Sequence, residues 1–222
     1  MFDAVIFDAD GVLLDSEVIY HAIEMEVLGS YGLTWDPHDY RSRFMGMHER
    51  TYVAALDAEH RKHLGAPLPE DFLRTVRTRS RIVCDESLEC VLGAHAAVEA
   101  VAIPRAVASS SDEEALHRKL AKVGLEALFD PHIYSADRVA HGKPHPDIFL
   151  HAADRLSVDP TRSLAIEDSV NGVTAARAAG MTVWGFTGGG HLDERSEPGL
   201  LKAGAERIVR SWDEARALFQ SL

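Results

Sequence analysis

The most constraining feature of this chain is the stretch from Ala4 to Asp15. Ala4 to Phe7 is a short apolar run closed by an acid, and such a run reads as a strand buried on both faces. A strand of that kind belongs in a parallel sheet covered by helices on each side, because both of its faces need an apolar partner. It delivers two carboxylates, Asp8 and Asp10, just past its end, where ligand sites of open α/β sheets lie. Two acids this close repel unless something positive offsets them. A hard divalent cation such as Mg²⁺, which takes oxygen ligands, meets that need. Gly11 lets the following turn be sharp. Taken alone, Asp-x-Asp is common in ordinary acidic loops and needs support from elsewhere in the chain.

From Ser16 to about Glu86 the pattern is helical and carries no strand signal. Val18, Ile19, Ala22, Ile23 and Leu28 form one stripe. Asp36-Pro37 is a helix start, with Asp as cap and Pro at the first helical position. Phe44 to His48 is a break, Gly65 closes the next helix at Leu64, and Pro69 opens another with Leu68, Phe72, Val76 and Val83 on one side. From Ser87 onward strands and helices alternate. Strands are expected at Arg105–Ala108, Ile133–Tyr134, Ser163–Ile166, Thr182–Phe186 and Arg207–Val209. Repeated β-α units imply a parallel sheet. The expected fold class is α/β: a Rossmann-like parallel sheet core in three layers, α/β/α, with an inserted α-helical domain. Residues 1–15 and 87–222 are assigned to the core and 16–86 to the insertion.

Three more strand ends carry polar groups. Ser109 follows the second strand, Lys143 stands in Gly142-Lys143-Pro144-His145-Pro146, and Glu167-Asp168 follow the fourth. Each has a bland explanation: a loop serine, a solvated lysine, a helix cap. Lys143, however, is one of only five lysines, and the flanking prolines restrict its backbone. If the strands are parallel, all these groups share one rim with Asp8 and Asp10. Ser111 and Glu114 read as a capping box for the helix that follows. The chemistry such a rim supports is phosphoryl transfer. A carboxylate acts as nucleophile, a second acid moves protons, a cation offsets charge, and a hydroxyl and an ammonium bind the phosphoryl oxygens.

In order and spacing, Asp8-Ala9-Asp10-Gly11, Ser109, Gly142-Lys143-Pro144 and Ile166-Glu167-Asp168-Ser169 resemble the four motifs of the haloacid dehalogenase superfamily. Within it the chain looks like the β-phosphoglucomutase-like phosphatases with a small helical cap. The resemblance covers essentially the whole chain. It implies Asp8 as nucleophile, Asp10 as acid/base, and Ser109 and Lys143 as phosphoryl ligands. It also implies Mg²⁺ held by Asp8, the Asp10 backbone carbonyl and Asp168, with Glu167 assisting. His48 and Arg50, in the stretch resembling the family's specificity loop, and Ser110 are candidate substrate-binding residues. The dehalogenases themselves lack the second motif-I aspartate. Phosphonatases use a cap lysine, and Lys62 is the only lysine in the insertion, well beyond its first helix. The β-phosphoglucomutases usually carry a histidine where this chain has Tyr20; here the histidine is His21, about 100° round a helix.

Other features receive no role. Arg74, Arg77 and Arg81 read as a solvated stripe. His60-x-x-His63 and His141-x₃-His145 read as surface histidines, with His145 a candidate near Lys143. Gly188-Gly189-Gly190-His191 lacks the strand-to-helix pattern of a phosphate loop. The net charge of −12 argues against nucleic-acid or anionic-membrane partners. Cys84 and Cys90 fit no zinc pattern, and no leader or membrane-span pattern is present, so a reduced, cytoplasmic protein is expected, monomeric or weakly dimeric. The expected function is Mg²⁺-dependent hydrolysis of a small phosphorylated metabolite, a sugar phosphate or sugar-acid phosphate such as 6-phosphogluconate. The rivals are a sugar-phosphate mutase and a phosphoacceptor module without turnover.

Overall fold

The computed structural model describes residues 2–44 and 49–219. Two compact units form: Met1–Glu17 with Leu88–Leu222, and Val18–Ser87. In the first unit six parallel strands make one sheet, with spatial order β3-β2-β1-β4-β5-β6. They are β1 (Ala4–Phe7), β2 (Arg105–Ser109), β3 (Ile133–Ser135), β4 (Ser163–Glu167), β5 (Thr182–Phe186) and β6 (Arg207–Val209). The chain leaves β1 toward one edge through β2 and β3, and returns to its other side through β4, β5 and β6. The reversal of order beside β1 opens a crevice at the carboxyl ends of β1, β2 and β4.

The helices, in chain order, are α1 (Ser16–Ser30), α2 (Pro37–Phe44), α3 (Glu49–Leu64), α4 (Phe72–Ser87), α5 (Ala94–Glu99) and α6 (Glu113–Lys122). They continue as α7 (Glu126–Phe129), α8 (Asp147–Leu156), α9 (Val170–Ala178), α10 (Glu197–Ala203) and α11 (Trp212–Phe219). Successive residues of β1 point to opposite faces, so both layers draw on it. Ile6 packs with Phe149, Ala152, Val173 and Leu200 from α8, α9 and α10. Phe7 meets Phe129 of α7 and Trp212 and Phe219 of α11, with ring centroids 5.6, 5.8 and 6.4 Å away. This is the three-layer α/β/α arrangement expected from the apolar run. The buried Trp212 indole donates to the carbonyl of Val12 at 3.0 Å, tying α11 to the loop after β1.

In the second unit, α1 to α4 enclose a separate core that includes Ile23, Val27, Leu28, Tyr40, Phe44, Leu56 and Phe72. Along α4, Phe72, Val76, Ser80 and Cys84 are buried at four-residue spacing, the stripe of an amphipathic helix. Arg74, Arg77 and Arg81 are exposed. Among the described residues no helix is long and apolar enough to cross a membrane.

Some expectations need correction. Helix α4 starts at Phe72, because Pro69 heads a turn closed by the Phe72 N–H on its carbonyl. Ser111 does not cap α6. Asp112 does, accepting from the Ala115 N–H at 2.8 Å, which leaves the Ser111 hydroxyl for another task. His60 is buried, its Nδ1 2.7 Å from the carbonyl of Ala66, so it is a core residue of the insertion and not a surface histidine.

Candidate active site

Three strand ends and one loop build the site. Asp8 follows β1 directly, and its N–H donates to Ile166 of β4 at 3.0 Å. That bond sets Asp8 level with Glu167, the last residue of β4. Glu167 is fully buried and Asp168 nearly so. Ser169 caps α9 by accepting from the Gly172 N–H, and its own hydroxyl donates to Glu167 at 3.1 Å. Gly172 is required there, since a Cβ on it would lie 1.9 Å from the Glu167 carboxylate. Lys143 reaches in from the loop before α8. Its Nζ donates to Asp8 at 2.5 Å, to Glu167 at 2.5 Å and to the carbonyl of Ala108 at 3.0 Å. Ser109, at the end of β2, is buried and accepts from the Ser111 N–H at 3.1 Å.

Asp10 has its own set of partners. Ser16 donates to Oδ1 at 2.5 Å and Ser111 to Oδ2 at 2.6 Å. The ammonium of Lys119, a residue only 2% exposed, bonds Oδ1 as well as the Ser111 oxygen at 2.9 Å. Ser135 donates to the Ser111 carbonyl at 2.6 Å and so holds that residue in place. No sequence motif pairs Ser16, Ser111 or Lys119 with Asp10. One signal was present: Leu116, Lys119 and Leu120 share a helix face, which puts a lysine on an apolar stripe.

The electrostatics separate the two acids of the first motif. Burial pushes Asp8 up to about 7; Lys143 pulls it back, and Glu167 adds repulsion. Burial also raises Glu167, and burial together with the charge of Asp8 raises Asp168 well above the carboxylate range. Burial alone would lower Lys143, but the carboxylates of Asp8 and Glu167 outweigh it and hold the ammonium charged. Burial would likewise raise Asp10, yet Lys119 and the two hydroxyls outweigh it and keep Asp10 below its ordinary value. Asp8, Glu167 and Asp168 thus share a single lysine, an excess of negative charge that a cation relieves. One oxygen from each lies within 4.8 Å of the others, and all three residues are buried. Three hard oxygen donors of this kind fit Mg²⁺.

The structure brings Asp8, Asp10, Ser109, Lys143, Glu167 and Asp168 to one end of the sheet. Ser110 is exposed beside Ser109, and Arg50 is exposed on α3 of the other unit. His48 lies outside the described residues.

Three comparisons place this arrangement among known proteins. A family model described as haloacid dehalogenase-like hydrolase matches residues 2–180. The chain is 34% identical over 214 residues to the phosphorylated carbohydrates phosphatase of Thermotoga maritima, covering 94% of each. It is 29% identical over 189 residues to the 6-phosphogluconate phosphatase of Escherichia coli, covering 85% of this chain and 84% of that protein. Among solved structures, a haloacid dehalogenase family hydrolase from Deinococcus radiodurans, with bound phosphate and sodium, superposes with a TM-score of 0.85. That protein is 36% identical, with 99% of this chain and 96% of the other covered.

Proposed function

The chain belongs to the haloacid dehalogenase-like hydrolases and is a phosphatase of that family; from that premise we propose a Mg²⁺-dependent enzyme that works through an aspartyl-phosphate on Asp8. The observation that carries this reading is the buried group of Asp8, Glu167 and Asp168 around Lys143. The two relatives support a small phosphorylated carbohydrate as substrate, a sugar phosphate or a sugar-acid phosphate such as 6-phosphogluconate. Kinship with phosphatases sets aside the phosphoacceptor module.

Asp8 Oδ attacks phosphorus, and the bond from phosphorus to the substrate oxygen breaks. Asp10 gives that oxygen its proton, then takes one from the water that cleaves the acyl phosphate, releasing inorganic phosphate and free Asp8. The field of Lys119 favours the second of these roles, since it stabilises the ionised carboxylate. Lys143 and Ser109 bind the phosphoryl oxygens as charge moves onto them. Asp8, Glu167, Asp168 and the Asp10 carbonyl would hold Mg²⁺, which when bound offsets the charge between nucleophile and phosphoryl group.

Lys119→Met tests the hold on Asp10. It leaves two hydroxyls to orient a carboxylate that has lost its counter-charge. Turnover of a sugar phosphate is expected to fall roughly 100-fold, within the range of general acid–base contributions. The phospho-enzyme should accumulate, seen as added mass on acid-quenched protein. Wild-type turnover would remove Lys119 from this role.

Mutase activity requires the acyl phosphate to be kept from water until the sugar rebinds. Tyr20 stands at the position of the mutases' histidine, and the His21 ring lies against Tyr40, centroids 6.5 Å apart. A loss of about 3 kcal/mol in discrimination against water speeds the leak more than a hundredfold. From a hexose 1-phosphate, inorganic phosphate should therefore far exceed 6-phosphate, even with hexose 1,6-bisphosphate added. Product analysis by phosphorus NMR decides it, and 6-phosphate in excess would establish the mutase.

A further inference from the structure

The loop Gly188-Gly189-Gly190-His191 after β5 has no part in the chemistry above, yet it ends inside the site. His191 is buried, and its Nε2 lies 2.9 Å from Asp168 Oδ2. Two glycines clear the way for the ring. A Cβ on Gly11, whose φ is +81°, would sit 1.9 Å from Asp168 Oδ2 and 2.6 Å from His191 Cε1. A Cβ on Gly189 would sit 2.5 Å from the Gly11 carbonyl oxygen and 2.9 Å from His191 Nδ1. The Gly190 N–H donates to Asp15 Oδ1 at 3.1 Å, fastening the β5 loop to the end of the β1 loop. Two loops thus close over one imidazole, and both give up side chains where it passes.

We propose that His191 is a positioning residue for the cation site: it donates Nε2–H to Oδ2 of Asp168 and turns the other carboxylate oxygen toward Asp8 and Glu167. The inference rests on the Mg²⁺ reading and goes beyond it. A carboxylate accepts only, so the shared proton sits on Nε2 when Asp168 is ionised. The hydrogen bond holds Oδ2 on the side of His191 and Gly11, so Asp168 turns one oxygen rather than both toward a cation. One-oxygen ligation suits Mg²⁺, which needs compact octahedral geometry. It works against Ca²⁺, which takes more ligands and accepts bidentate carboxylates. His191 therefore acts on cation affinity and on the choice between the two ions.

The test is calorimetric titration of the metal-free full chain with MgCl₂ and with CaCl₂, alongside thermal melting. His191→Ala should weaken Mg²⁺ binding by roughly 10–100-fold, the usual effect of removing an outer partner of a metal ligand. Its Ca²⁺ affinity should fall less, so the preference for Mg²⁺ shrinks. His191→Gln keeps an N–H at a similar reach and should recover most of the loss. Unchanged Mg²⁺ affinity and preference in His191→Ala would overturn the proposal. So would equal losses in both variants with a shared drop in melting temperature, which would make the ring a packing element. If the wild type bound neither cation, the Mg²⁺ reading would fall, and this inference with it.

Discussion

Asp8→Asn is expected to abolish turnover while leaving the fold intact. The amide has nearly the volume of the carboxylate but no nucleophilic oxygen, so the covalent route through the acyl phosphate is closed. A loss of about four orders of magnitude corresponds to ~5.5 kcal/mol of transition-state stabilisation. The fold should tolerate the change. Asp8 is buried, and the charges of Glu167 and Asp10 already work against its ionisation. An uncharged residue removes that repulsion and offsets part of what is lost with Lys143. Hydrolysis of p-nitrophenyl phosphate and cooperative melting should be measured on one preparation. Turnover near the wild-type level would move the nucleophile elsewhere and undo the proposed mechanism.

Removing divalent cations should bring activity to background, and Mg²⁺ should restore it. Ca²⁺ should restore little, because its longer bonds and larger ligand number misplace the nucleophile relative to phosphorus. Full activity in excess chelator would refute the metal requirement. The metal-free protein should also show a particular dependence on pH. Asp8 is pushed up to about 7 by burial, and Glu167 and Asp168 are raised in the same direction. An acid raised in the folded state holds its proton more tightly there than in the unfolded chain. Its contribution to stability is complete below the unfolded value, ~3.9 for Asp, and is lost as pH rises through the folded value. Asp10 is shifted the other way and acts below this window. The chelated protein should therefore melt at a lower temperature at pH 8 than at pH 5.5. Saturating Mg²⁺ should narrow the difference by favouring the ionised carboxylates. A melting temperature that rises with pH in the chelated protein would contradict this charge arrangement.

Much of the fold could be read along the chain because its signals are local. The apolar run before Asp8 demanded cover on both faces, and Phe7 and Ile6 receive it from opposite helical layers. Asp36-Pro37 and Gly65 bound their helices through backbone chemistry confined to one turn. Serine signals were weaker. The hydroxyl of Ser111 is as able to cap a helix as to bond a distant acid, and nothing within a few residues distinguishes the two uses. Asp112 beside it took the cap, and the choice was made by Asp10, 101 positions away.

The sequence by itself determined that carboxylates and a serine stand at strand ends and a lysine in the proline-flanked loop before α8, since each is set by its own strand or turn. Only the tertiary structure decided which of them meet. Strand order places β1 between β2 and β4, so Asp8 stands beside Glu167 while Lys143 spans both. It also admits Lys119 and His191, which no motif named. A buried ammonium or imidazole is costly without a partner, and here the partners, Asp10 and Asp168, lie 109 and 23 residues away along the chain. The apolar stripe of α6 marks Lys119 as buried but does not name its partner, and such pairings leave no turn chemistry in the sequence, because they are fixed by desolvation and distance once the sheet has closed around them.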